Sequence, residues 1–270
     1  MKPIIKYRGG KSKEIPQIIQ YIPQFDGRYI EPFLGGGAMF FHLEPNNAII
    51  NDINVRLINF YKSVQQDFMQ LSMELAELEN IYSNNRLEFD KLKKLHPEDR
   101  IPDENETLYY QLRDMYNGLI PSTYSDAALY YFINKTAFSG MIRFNAKGEY
   151  NVPYGRYKNL NTKIITEAHH ALLVNTEIHN TDYSDIFNLV NPDDFVFLDP
   201  PYDCIFSDYG NIQYQDGFNE ENHRRLAEDF YNLGCRSLMV IGDTPLIRDL
   251  YGNNIIAESV SYTHLTLPTN

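Results

Sequence analysis

The chain contains no tryptophan and only two cysteines, Cys204 and Cys235. Two thiols are too few for a disulfide framework or a structural zinc site, so the fold must rest on its hydrophobic core. No apolar run reaches the roughly 18 residues of a membrane span. The opening MKPIIKYRGGKSKEI lacks the apolar stretch of a secretory signal. A soluble, cytoplasmic protein with no membrane partner is expected. There is no internal repeat and no low-complexity tract in the 270 residues, which suffice for one domain with a large insertion or for two domains. Basic residues are scarce as well. With 24 Lys/Arg against 36 Asp/Glu the net charge is −12, which by itself argues against a nucleic-acid partner.

The distribution of charge reverses that argument. Residues 1–30 hold six Lys/Arg against two acids, and residues 134–165 hold six against one, together +9 in an acidic chain. Two such segments form one basic face if folding joins them, and otherwise are uneven surface charge.

The first 62 residues alternate in pattern. SKEIPQIIQYIP predicts a short helix starting at Ser12, and GRYIEPF a strand ending at Pro32. LGGGAMFFHL is a glycine turn opening a helix, and NAIINDIN is a second strand with Asp52 at its end. Strand, glycine turn, helix, strand, acid is the first half of a doubly wound nucleotide-binding sheet. From about residue 63 to 133 apolar residues recur at helical spacing, as in LINFYKSVQQDFMQLSMELAELENIY, which reads as a helical insertion. NKTAFSGMIRFNAKGEYNVPYGRYKN is loop-like, and NAKGEY within it predicts a hairpin turn with Gly148 at positive φ. Alternation resumes after about residue 166: a helix (KIITEAHHALL), a weak strand ending near Asp182, and the buried strand FVFL. NEENHRRLAEDFYNLG then predicts a helix closed by Gly234, and RSLMVIGD another buried strand.

Three motifs carry chemistry. In EPFLGGGAMFF the glycines let backbone approach a ligand and point N–H groups at it. Met39 and Phe40 break the dinucleotide fingerprint, while Asp52, 15 residues after Gly37, stands where a ribose-binding carboxylate belongs. The pair favours an adenosine-type ligand without phosphates over a purely structural turn. KYRGGKS is not a phosphate-binding loop, since Ile5 occupies the position of its first glycine. Tyr7 and Lys11 nevertheless flank two glycines and are placed to meet a ligand. In FVFLDPPYD the prolines end the strand and remove competing N–H donors, which holds Asp199 and a neighbouring carbonyl side by side as acceptors. Tyr202 adds a flat face. Two acceptors and a stacking face suit a planar group bearing an NH₂, such as adenine or cytosine.

In this order, KYRGGK, EPFLGGG, FNAKGEYNVPYGRY and DPPY resemble the motifs of the DNA adenine-N6 methyltransferases of the GATC-methylating type. The resemblance runs from residue 2 to about residue 260. It implies an α/β, Rossmann-like S-adenosylmethionine-dependent fold made of residues 1–62 and 166–270, with an inserted helical target-recognition domain at 63–165. It implies a duplex-DNA partner, a monomer, a place in restriction–modification, and no metal. Cofactor contacts are implied for Tyr7, Lys11, Phe33, Gly35, Gly36, Gly37, Asp52, Asp182, Tyr183 and Asp199. Asp199, Pro200, Pro201 and Tyr202 are the implied catalytic tetrad, and methyl transfer is direct, onto a flipped base. DNA contacts are implied for Phe138 as a wedge, Ser139, Met141, Arg143 on a guanine, and Pro153; Lys135 and Lys147, lying near Arg143, are the candidates for phosphate contacts. Tyr7 stands where the family usually has tryptophan, and Ser139 where it commonly has asparagine. The same tetrad also suits cytosine N4 or an RNA base, and a chain with a changed carboxyl end could bind DNA without turnover. Family members run on for about 25 residues through two strands and a basic loop. Here SYTHLTLPTN closes the chain, and an unpaired sheet edge is expected.

Overall fold

The structure is a computed structural model describing residues 1–7, 9–202, 218–259 and 264–269; Cys204 lies outside them. The strands β1 (Tyr29–Glu31), β2 (Ala48–Asn51), β3 (Thr176–His179), β4 (Phe195–Leu198), β5 (Arg236–Gly242), β6 (Ala257–Ser259) and β7 (His264–Thr269) form one sheet. Their order is β3-β2-β1-β4-β5-β7-β6. β1 pairs in parallel with β2 on one side and β4 on the other, the place where the strand order reverses. Such switch points hold the ligands of open α/β sheets. β1, β2 and β4 are buried along their whole length, as strands inside a parallel sheet covered on both faces are.

The helices are α1 (Ile15–Ile18), α2 (Ala38–Leu43), α3 (Val55–Gln66), α4 (Phe68–Leu95), α5 (Glu104–Tyr116), α6 (Asp126–Thr136), α7 (Glu167–Val174), α8 (Tyr183–Phe187), α9 (Glu220–Tyr231) and α10 (Pro245–Tyr251). The chain forms two compact units. The first comprises Met1–Pro3, Gly9–Ile58 and Leu172–Asn270, and the second Ile4–Arg8 and Asn59–Ala171. The crossings thus fall inside α3 and α7, and the segment carrying Tyr7 counts with the second unit rather than with the sheet.

In the first unit, Ile30, Ile49, Val196, Leu198, Met239 and Ile241 of the strands pack with Leu226 and Phe230 of α9 and with Ile247 and Tyr251 of α10. In the second, α4 buries Leu71, Leu75, Leu78 and Tyr82, a stripe at helical spacing.

Two expectations are corrected. Helix α9 ends on Asn232 in a right-handed conformation, and Gly234 takes no positive φ, so it is not a left-handed cap. The carboxyl-terminal strand is not left unpaired. β7 lies antiparallel between β5 and β6, because hydrogen bonds to two neighbours satisfy both of its backbone edges.

Candidate active site

The glycine turn follows from local chemistry. Pro32 cannot extend β1, and Gly35 and Gly37 take φ of 49° and 65°, which side chains with a Cβ disfavour. A Cβ on Gly37 would also stand 3.0 Å from the Phe41 ring. Gly37 has no side chain to cap α2. Instead Glu31 Oε2 accepts the Phe40 amide at 3.1 Å and the Tyr29 hydroxyl at 2.7 Å. Burial pushes the Glu31 carboxyl up to about 8, and the charges of Asp199 and Asp52 push the same way.

At the end of β2, Asp52 accepts the Gly35 amide on one oxygen and the Asn54 amide on the other, both at 2.8 Å. It is buried, and burial lifts its carboxyl to about 6 against the pull of those two amides. Asn51 donates to the carbonyls of Pro32 and Thr181 and accepts the Thr181 amide, which ties together the chain after β1, β2 and β3. Asp182 caps α8 through the Ser184 amide and hydroxyl, and Arg225 donates to it at 2.5 Å. Burial raises its pKa, but these donors together hold it below the usual range. The Tyr183 ring packs 5.3 Å from that of Phe33, and its hydroxyl donates to Asp229 at 2.7 Å.

At the end of β4, Lys11 Nζ lies 2.9 Å from Asp199 Oδ1, donates to the Gly9 carbonyl at 3.1 Å, and sits 4.6 Å from the centre of the Tyr202 ring. The Tyr202 hydroxyl is 3.5 Å from the same carboxylate oxygen, a weak contact. Its ring lies against Gly242 of β5, where a Cβ would already touch it at 3.4 Å. Burial raises the Asp199 pKa, and Lys11 opposes the rise. Pro200 is buried and Pro201 half-buried. The structure therefore joins Lys11, Asp199 and Tyr202; Gly35 and Asp52; and Phe33 and Tyr183. The roles of Glu31 and Asn51 were not anticipated. Their signal was a polar residue ending an otherwise apolar strand.

In the second unit, Phe138 is 53% exposed and Ser139 takes φ of 53°. The Phe138 amide donates to the Pro153 carbonyl, and Phe144 pairs with Tyr150 across the hairpin. Its turn closes through the Gly148 amide on the Asn145 carbonyl, with Gly148 at φ 77° as expected. Arg143, Lys147 and Pro153 are exposed and Met141 is half-buried. Lys135 is half-buried beside the Tyr131 ring, and burial, aided by the charge of Lys6, lowers it to about 8. Lys6 Nζ donates to the Lys135 carbonyl at 3.0 Å, so members of the two basic segments meet inside this unit.

A glycine turn after the first strand, an acid after the second, and an acceptor with an aromatic face after the fourth define a Rossmann-like methyltransferase. The chain belongs to the D12 class N6 adenine-specific DNA methyltransferases, whose family model matches residues 7–264. It is 37% identical over 263 residues to the type II methyltransferase M.CviBI of Paramecium bursaria Chlorella virus NC1A, covering 96% of this chain and 89% of the relative. Identity to the type II methyltransferase M.MjaIII of Methanocaldococcus jannaschii is 34%, with coverage of 93% and 87%. For the DNA adenine methylase of Salmonella typhi the values are 27%, 93% and 84%. The protein is thus an adenine-specific DNA methyltransferase that draws on a methyl donor. Among the described residues no helix is long and apolar enough to cross a membrane, and no cluster of His, Cys, Asp and Glu suits a metal ion.

Proposed function

We propose that this chain transfers the methyl group of S-adenosylmethionine to N6 of an adenine flipped out of duplex DNA, within GATC. The observation that carries the reading is the buried Lys11–Asp199 pair beside the Tyr202 ring at the end of β4.

The residues suit this donor. Asp52 offers a buried carboxylate to ribose hydroxyls beside Gly35, Gly36 and Gly37, and Phe33 with Tyr183 offers an aromatic wall to an adenine. The carboxylates of Asp52 and Asp199 favour a cation over phosphates. Assignment of Tyr7 and Asp182 to the donor rests on the resemblance. When bound, S-adenosylmethionine supplies an electrophilic methyl group on a sulfonium.

Asp199 and the Pro200 carbonyl accept the two N–H groups of the target amine and aim its lone pair. Pro201 stiffens the backbone and offers no competing donor. Tyr202 stacks on the extruded base, and the charge of Lys11 favours the ionised form of Asp199. Phe138 fills the gap left in the duplex, which offsets part of the few kcal/mol that unstacking costs. Ser139, Met141 and Pro153 flank that wedge, Arg143 reads a guanine edge, and Lys147 meets phosphate.

The test is methylation of a random duplex library with labelled S-adenosylmethionine. Nucleoside mass spectrometry should find N6-methyladenine alone, and modification-sensitive sequencing should place it in GATC. Methyl groups on cytosine would overturn the reading, and a different sequence context would overturn the site. Asp199→Ala should abolish transfer while duplex binding persists; turnover above about a tenth of wild type, some 1.4 kcal/mol in barrier, would remove Asp199 from its role.

A further inference from the structure

Segment 150–152 is the outer arm of the hairpin that carries Arg143, bridged at Phe144–Tyr150. In an extended chain the backbone groups of alternate residues face opposite sides. The inner side belongs to Asn151. Its amide donates to the Arg143 carbonyl at 3.1 Å, its carbonyl accepts Arg143 Nη2 at 3.2 Å, and its Oδ1 accepts Arg143 Nε at 2.8 Å. The guanidinium is therefore oriented by this one residue.

Among the described residues no strand pairs with the outer side, and α5 with its cap supplies the partners instead. Asn117 Oδ1 accepts the Tyr150 amide at 2.7 Å, and its Nδ2 donates to the Tyr150 carbonyl at 3.0 Å. The Tyr109 hydroxyl donates to the Val152 carbonyl at 2.8 Å. Both grips are built into the helix. Tyr109 is fully buried, its ring 5.4 Å from that of Tyr154. Asn117 caps α5, whose end is fixed by the Gly118 amide on Met115 and the Leu119 amide on Asp114, with Gly118 at φ 70°.

We infer that Tyr109 and Asn117 are positioning residues that hold the 150–152 arm of the hairpin, and through Asn151 the Arg143 guanidinium, so that they set sequence discrimination without touching DNA. This rests on the reading that Arg143 contacts a base edge. Tyr109→Phe keeps the ring and its packing but leaves the Val152 carbonyl without its donor. Asn117→Asp keeps an acceptor for the Tyr150 amide and sets a carboxylate against the Tyr150 carbonyl.

The experiment measures kcat/KM on the cognate duplex and on its single-base variants for both substitutions, with Arg143→Ala as reference. Each should lower the cognate-to-variant ratio about fivefold, the scale of one lost hydrogen bond, at the base pair where Arg143→Ala lowers it. The dissociation constant for S-adenosylmethionine should not move. Ratios within about twofold of wild type, while Arg143→Ala collapses the ratio, would overturn the inference. So would a parallel loss on every substrate, which marks a merely structural role. If Arg143→Ala itself leaves the ratio intact, the base-reading role fails, and the inference falls with it. Should Tyr109→Phe not fold, Asn117→Asp carries the same comparison.

Discussion

Lys11 and Asp199 are ion-paired at 2.9 Å, the lysine side chain only 4% exposed and the carboxylate 21%. The pair joins the turn after the amino-terminal glycines to the end of β4. Burial raises the Asp199 pKa, and Lys11 is the main opposing influence. In the proposed mechanism the ionised form accepts the amine hydrogens, so kcat/KM should fall as pH drops through this pKa. Lys11→Met removes the opposing charge and should move that fall to higher pH. A pH–rate profile whose acid limb does not move would assign Lys11 to the cofactor alone.

Asp52 tests the cofactor side. Asp52→Ala should raise the S-adenosylmethionine dissociation constant roughly 10- to 100-fold, the loss of one or two charge-assisted hydrogen bonds. With its pKa lifted to about 6 by burial, Asp52 is ionised above that value and neutral below it. Wild-type affinity should therefore weaken as pH falls through about 6, and the Asp52→Asn variant should lack that step. Calorimetric titration across the range checks both; equal affinities would move the ribose site elsewhere.

Glu31 makes a stability prediction. Its folded pKa of about 8 lies above the ordinary 4.5, so the folded chain keeps a proton that the unfolded chain releases. The stabilisation is complete below the ordinary value and is lost as pH rises through about 8. Glu31→Gln is neutral throughout and keeps an acceptor for Tyr29 and Phe40. It should be more stable than wild type at pH 8 by roughly a few kcal/mol, with little difference near pH 4. Denaturant midpoints at both values decide the matter.

Arg143 and Lys147 should separate reading from holding. Arg143→Ala should relax discrimination at one base pair by about 1–3 kcal/mol. Lys147→Ala should weaken binding to all sequences alike and flatten the salt dependence by about one unit. Rates on cognate and single-base-variant duplexes at two salt concentrations distinguish them. An equal slowing of every substrate by Arg143→Ala would leave that arginine only a structural or phosphate role.

Phe138, 53% exposed at the start of the recognition segment, should matter for base extrusion rather than for binding. Phe138→Ala should reduce the fluorescence gain of 2-aminopurine at the target position and slow transfer about tenfold or more, an effect of at least 1.4 kcal/mol. A full fluorescence gain in the variant would end the wedge role.

The amino-acid sequence by itself determined what depends on neighbouring residues. The apolar runs 48–50 and 195–198 became buried strands because continuous apolar character suits a sheet covered on both faces. Gly37 and Gly148 took positive φ because their turns demand it, and the prolines after Asp199 ended β4 at its carboxylate. Tertiary structure alone decided which distant groups share a site. Lys11 stands on Asp199, Glu31 replaces the missing cap of α2, Asn51 ties three chain segments, and α5 with its cap holds the hairpin arm behind Arg143. It also half-buried Lys135, set β7 between β5 and β6, and ended α9 before Gly234. The physical reason is that backbone dihedral preferences are local, whereas desolvation and charge pairing depend on neighbours that only the folded chain supplies.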